Sequence, residues 1–211
     1  QDVSGVVQAL GERRARVIGH GWGGYIAWAT AVLYPHEVSA IGALAAPHPS
    51  VMVRALRRGR RIGAMRHVLA MQLPMLPERR LADPESGYLS LHLRAWSGTP
   101  HFPTDDVVAT YQAAISLWPA SHCALEYHRW LFRSRIRSDG RRFNASMRTA
   151  LTQPTLCVMG GRDPALPSGL VEASRSRVAG PFTGHVLDGA GHFVHEEDPD
   201  GVNALLLEWL G

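Results

Sequence analysis

The chain has 211 residues, 45% hydrophobic and 19% charged, which admits one domain with an insertion and excludes a disordered tail, a collagenous repeat or a charge-laced coiled coil. Two cysteines, Cys123 and Cys157, are too few for a disulfide framework or a structural zinc site and point to a reducing, cytoplasmic setting. All 22 basic side chains are arginine and the formal charge is +4, but the cluster Arg54, Arg57, Arg58, Arg60, Arg61 and Arg66 lacks the aromatic interleaving of a nucleic-acid surface, so no nucleic-acid partner is expected.

The chain opens at Gln1 without a methionine or the regions of a signal peptide, so further residues are expected upstream. Val3, Val6, Val7 and Leu10 repeat at helical spacing and Gly11 stops the helix. Ala15 to Gly19 reads as a short buried strand, Tyr25 to Tyr34 as a buried helix ended by Pro35, and Val38 to Ala46 as a second strand. This compact strand, helix, strand order predicts a parallel sheet. Gly19, Gly21, Gly23 and Gly24 interrupt the uncharged run from Val17 to His36, so it is not read as a membrane span.

From residue 51 to 151 the pattern is helical, with tryptophans and scattered prolines, and predicts a helical lid inserted between two parts of the core, 1–50 and 152–211. Trp96, Trp118, Trp130 and Tyr127 would supply apolar surface there, for a pocket or for the lid's own core. Strand patterns return at Thr155 to Met159 and at His185 to Asp188, on either side of a helix around Leu170 to Arg177, and Gly201 to Leu210 closes the chain as a helix.

Three turns carry the chemistry. Gly19-His20-Gly21-Trp22-Gly23-Gly24 lies where a strand gives way to a helix, the setting of a nucleophile elbow, in which small neighbours let the two backbones close on a central residue of positive φ. A phosphate-cradling reading of the same glycines lacks the acidic residue about 20 positions on that a ribose needs. Asp163 follows the third strand and His192 follows the fourth, where open α/β sheets keep their sites. The order elbow, acid, histidine is that of α/β hydrolases. His48, after the second strand, is expected to brace a loop or the lid entrance.

On these residues the chain resembles the α/β-hydrolase-fold epoxide hydrolases and their haloalkane-dehalogenase relatives, along essentially its whole length. The motifs are GHGWGG at 19–24, Ala46-Pro47-His48-Pro49, Gln72-Leu73-Pro74 with Leu76-Pro77-Glu78, the segment Ala124 to Trp130, Gly161-Arg162-Asp163-Pro164, and Gly189 to Val194. The resemblance implies a mostly parallel sheet flanked by helices, a cap, no cofactor and no metal. It also implies a mechanism: an elbow carboxylate attacks the epoxide, a histidine-activated water hydrolyses the resulting ester, and two lid tyrosines hydrogen-bond the epoxide oxygen. His192 would then be the base, Asp163 its orienting acid, and the Trp22 N–H an oxyanion donor.

Three departures accompany the match. The elbow position is Gly21, which has no side chain to attack with, and His67 and His128 align with the family's tyrosines, Tyr127 lying beside the second. The family's N-terminal strands and oxyanion loop have no counterpart in these residues. The expectation is therefore a hydrolase of a small hydrophobic epoxide or ester that uses water activated by His192, with His67, His128 and Tyr127 binding substrate. The alternatives are a non-catalytic binder of a small hydrophobic ligand on the same fold and a nucleophile deliberately removed. No membrane partner is expected, and a homodimer is compatible with the sequence.

Overall fold

The expected strand, helix, strand unit forms the start of a four-stranded sheet. A computed structural model describes residues 1–57 and 64–211. Helix α1 (Asp2–Ala9) ends before Gly11, whose φ is 74°, and is followed by β1 (Ala15–His20), α2 (Trp22–Leu33) and β2 (Val38–Leu44). Helix α2 starts at Trp22, three residues before the expected Tyr25, because the glycines form its first turn rather than a loop. A methyl group on Gly19 would lie 2.3 Å from the carbonyl carbon of Gly23, and one on Gly24 2.5 Å from Cβ of Ala46. Glycine at these positions lets the helix seat on the ends of two strands.

Seven helices follow among the described residues: α3 (Pro49–Arg57), α4 (Ala64–Ala70), α5 (Leu76–Ala82), α6 (Tyr88–Trp96), α7 (Asp105–Ser116), α8 (Ala120–Ile136) and α9 (Ser138–Ser146). No strand interrupts them among those residues, as the pattern predicted. The sheet resumes with β3 (Thr155–Gly160), α10 (Leu170–Arg175) and β4 (Phe182–Leu187), and ends with α11 (Val194–Glu197) and α12 (Pro199–Leu210). Strand β4 begins three residues earlier than expected, at Phe182, where Thr155 pairs with it. The one-turn helix α11 was not expected. Asp198 caps α12 by accepting the N–H of Gly201, and Pro199 opens it, which moves its start two residues upstream of Gly201.

All pairings are parallel, in the order β1-β2-β3-β4. The inner strands are buried almost throughout, while β1 and β4 alternate between exposed and half-buried positions, as edge strands do. Successive residues of β3 enter different parts of the core. Cys157 and Met159 pack with Leu170 and Val171, and Leu156 and Val158 with Val194 and Val202, the two-residue alternation of a strand covered on both faces. A third cluster holds Trp28 against Val38, Ile41 and Met147. Burial pushes the Cys157 thiol up to about 12, so it packs as a protonated apolar group.

His48 is fully buried behind β2, with Nδ1 3.0 Å from Oγ of Ser50 and its ring edge-on to Trp28. It braces the loop into α3. Of the arginine cluster, Arg54 is exposed on α3, and Arg58, Arg60 and Arg61 lie outside the described residues. No described helix is long and apolar enough to cross a membrane. Because every strand runs the same way, the loops after β1, β2, β3 and β4 meet at one edge of the sheet.

Candidate active site

Gly21, Asp163 and His192 come from three of those loops. Gly21 holds φ 54° and ψ −117° between β1 and α2, and its N–H donates to the carbonyl of Leu44 at 2.9 Å. A side-chain-bearing residue is strained in that region and glycine is not. Trp22 opens α2 directly after it.

The Asp163 side chain is fully buried. Its Oδ1 accepts the N–H groups of Ala165 (2.7 Å) and Leu166 (3.0 Å), which leaves Oδ2 for Nδ1 of His192 at 2.8 Å. A carboxylate accepts here, so Nδ1 carries the proton and Nε2 keeps its lone pair. That nitrogen lies 3.7 Å from the point a Cβ on Gly21 would occupy. The three residues singled out from sequence thus converge: a carboxylate, a histidine of fixed tautomer, and a bend with no side chain in front of it.

A cavity of about 580 Å³ opens over this bend. Its floor is His20, Gly21, Trp22 and Ala45 to Pro47. The helical segment supplies His67, His92, Trp96 and His128 together with aliphatic residues such as Met71, Leu93 and Leu125. The described lining contains no serine, threonine, cysteine, aspartate, glutamate, lysine or arginine.

The imidazoles form a contiguous group. His67 stacks on His92 with ring centroids 4.2 Å apart and meets His128 edge-on at 5.0 Å, and Trp96 lies edge-on to His192 at 4.8 Å. Burial, followed by the repulsion of neighbouring histidines, pushes His67 down to about 3 and His92 to about 4, and burial lowers His128. They are neutral at pH 7.

Two expectations change here. His128 lines the cavity, but both its ring nitrogens are engaged: Nδ1 faces the carbonyl of Ala124 at 3.3 Å and Nε2 accepts the indole N–H of Trp22 at 3.3 Å. A neutral imidazole has one N–H, and the Ala124 carbonyl takes it, so none remains for a ligand oxygen. Tyr127 is exposed and lies outside the cavity lining, its ring packed on Trp22 at 5.5 Å, because the next residue of α8 faces a different side of the helix. Trp118 is 83% exposed and Trp130 is not in the lining, so of the three tryptophans only Trp96 reaches the cavity.

Three further residues support the site and were not singled out from sequence. His92 sits 25 positions from His67 yet stacks on it, which no local pattern announces. His20 donates from Nε2 to the carbonyl of His192 at 2.8 Å, and burial pushes it down to about 3. Glu197 accepts at Oε2 from the N–H groups of Gly98 (2.6 Å), Gly191 (3.0 Å) and Thr99 (3.1 Å) and from Oγ of Ser97 (3.0 Å), and at Oε1 from the N–H of Phe193 (3.1 Å). The His192 N–H donates to the carbonyl of Trp96 at 2.9 Å. One carboxylate therefore ties the turn after α6 to the loop that carries His192. The only sequence signal was a second acid in the first turn after His192.

Comparison with known proteins bears on the family and the fold. Epoxide hydrolase 3 of Xenopus tropicalis is 27% identical over 216 residues, covering 100% of this chain and 56% of that protein. Epoxide hydrolase A of Mycobacterium tuberculosis is 28% identical over 233 residues, covering 99% of this chain and 72% of that one. The crystal structure of Epoxide Hydrolase A from Mycobacterium thermoresistibile superposes with a TM-score of 0.77 at 23% identity, over 99% of this chain and 73% of that one. The chain thus spans little more than half the length of the Xenopus relative. A family model described as "Alpha/beta hydrolase family" matches residues 1–205, and with four parallel strands in keeping with it, the chain belongs to the alpha/beta hydrolase family.

Proposed function

We propose that the chain is an epoxide-hydrolase-like hydrolase of a small hydrophobic epoxide or ester, in which Gly21 stands at the nucleophile position and water is the attacking group. The helices between residues 51 and 151 act as its lid. The observation that carries this reading is the pairing of His192 with Asp163: Nε2 keeps a free lone pair and faces a bend that offers no side chain. His192 takes a proton from water as it attacks, and Asp163 stabilises the imidazolium that forms. His67 and His92, neutral and exposed to the cavity, are the imidazoles that donate to the leaving oxygen, and the Trp22 N–H assists an ester oxyanion. General-base assistance of this kind contributes about 10²–10⁴-fold, so turnover is slow.

Gly21 itself favours a second reading, a binder of a small hydrophobic ligand without turnover, since the bend offers no side chain and the described lining holds no serine, threonine, cysteine, aspartate or glutamate. Styrene oxide hydrolysis separates the two. The enzyme reading expects diol formation proportional to protein and lost in His192→Ala, with ligand affinity retained. The binder reading expects affinity without diol in either protein.

A further inference from the structure

The cavity has two chemically different ends. At the bend lie imidazoles: His128 accepts the indole N–H of Trp22 and meets His67 edge-on. Away from the bend the cavity continues along α7 and α8 as an arm with no charged side chain in its described lining. On α8, Ala120, Ala124 and His128 recur at i, i+4 and i+8, so they share one face and run the length of the arm. Eight residues at the helical rise carry the arm about 12 Å from His128 to Ala120, room for roughly ten carbons of an extended chain. Alanines keep it open, with Ala114 of α7 joining the two on α8.

Ala114 also marks where the arm ends. Among the described lining residues it is the one that is exposed, so the cavity meets solvent beside it. The one lining hydroxyl on these two helices, that of Tyr111, donates to Oε1 of Glu196 at 2.5 Å. A polar group inside the arm therefore finds no free side-chain donor on α7 or α8, whereas one that passes Ala114 is hydrated.

We infer that the arm selects the substrate: an epoxide or ester at the end of an unbranched, neutral chain of about ten carbons, whose far end emerges beside Ala114 and there carries a polar group. The inference rests on the reading of the cavity as a hydrolase site and adds which molecules fit it. The reacting group lies at the bend within reach of His192. The methylenes lie along Ala124 and Ala120, and whatever follows them stands in solvent. Ala114, Ala120 and Ala124 are thus specificity-determining residues, and their contribution is small size.

Binding of 1-alkanols from butanol to tetradecanol, and of the matching α,ω-diols, tests the arm without turnover. Tryptophan fluorescence reads it, since Trp22 and Trp96 line the cavity. Affinity should tighten about fourfold per methylene up to roughly ten carbons and then level off. The second hydroxyl should weaken hexanediol about tenfold or more relative to hexanol, and cost dodecanediol nothing relative to dodecanol. Ala124→Trp should move the break to roughly five carbons. Ala114→Trp, at an exposed position, should restore the penalty on dodecanediol. Affinity indifferent to chain length, tightening that continues to tetradecanol, or an equal diol penalty at both lengths overturns the inference. Vicinal diol formed from 1,2-epoxyhexane alongside any of those results leaves hydrolysis standing. The expected break with no vicinal diol from 1,2-epoxyhexane or 1,2-epoxydodecane supports the arm as a ligand site and removes the hydrolysis reading. Where both epoxides turn over, kcat/KM should favour epoxydodecane by about a hundredfold, and equal values overturn the substrate assignment.

Discussion

Glu197 and Gly191 are joined by a 3.0 Å hydrogen bond from the glycine N–H to Oε2, directly beside His192, the proposed base. The same oxygen holds the turn at 97–99, so the position of His192 depends on a carboxylate that never faces the cavity. Glu197→Ala strands several backbone N–H groups, and chemical denaturation is expected to report a loss of about 2–3 kcal/mol. Glu197→Gln keeps one acceptor oxygen and should fall between the two. As a positioning residue, Glu197 should lower kcat with little change in KM in the glutamine variant; unchanged kcat would assign it to stability alone.

Asp163→Asn tests the tautomer. An amide at this position can offer N–H to Nδ1 of His192, which moves the ring proton to Nε2 and removes the base. Turnover is expected to drop by about 10²–10⁴-fold, the whole contribution of general-base assistance, while KM stays near its original value. A variant that retains full turnover would show that His192 does not act as the base.

His67→Phe and His92→Phe keep an aromatic ring and remove the N–H. Each is expected to lower kcat for an epoxide by about 10²-fold or more if its imidazole donates to the leaving oxygen. His128→Phe should have a smaller effect, because both ring nitrogens are committed to Ala124 and Trp22. Equal losses in all three would contradict that assignment.

Acid should destabilise the fold in a defined window. Burial pushes His20, His48 and His67 down to about 3 and His92 to about 4, from 6.5. As pH falls below 6.5 the unfolded chain takes up protons that the folded chain refuses, so stability falls with falling pH. Each such histidine contributes up to about 1.4 kcal/mol per pH unit until it protonates in the fold. The urea midpoint should hold steady above about pH 7.5 and decline steadily from about pH 6 to pH 4.5. A midpoint that is flat across the lower range would contradict neutral burial of these side chains.

The parts of this site that sequence made legible are those encoded locally. A glycine-rich turn between apolar runs located Gly21, and turns after strands located Asp163 and His192, because a parallel sheet brings strand ends together whatever else the chain does. The boundary of α2 was less legible, since its first turn depends on how closely Gly19 approaches Gly23. Side-chain convergence was least legible. The stacking of His92 on His67, the saturation of both nitrogens of His128 and the rotation of Tyr127 out of the cavity are set by how separate helices pack. The clamp of Glu197 joins segments about a hundred residues apart, and no spacing rule reaches that far.

The most direct measurement follows oxygen through a single turnover of styrene oxide in ¹⁸O-labelled water, with protein in excess and no added anion. Attack by water activated at His192 predicts one ¹⁸O in the diol from the first turnover and an unaltered protein mass throughout. A first-turnover diol carrying unlabelled oxygen drawn from the protein, or a substrate adduct on any side chain, would contradict the account.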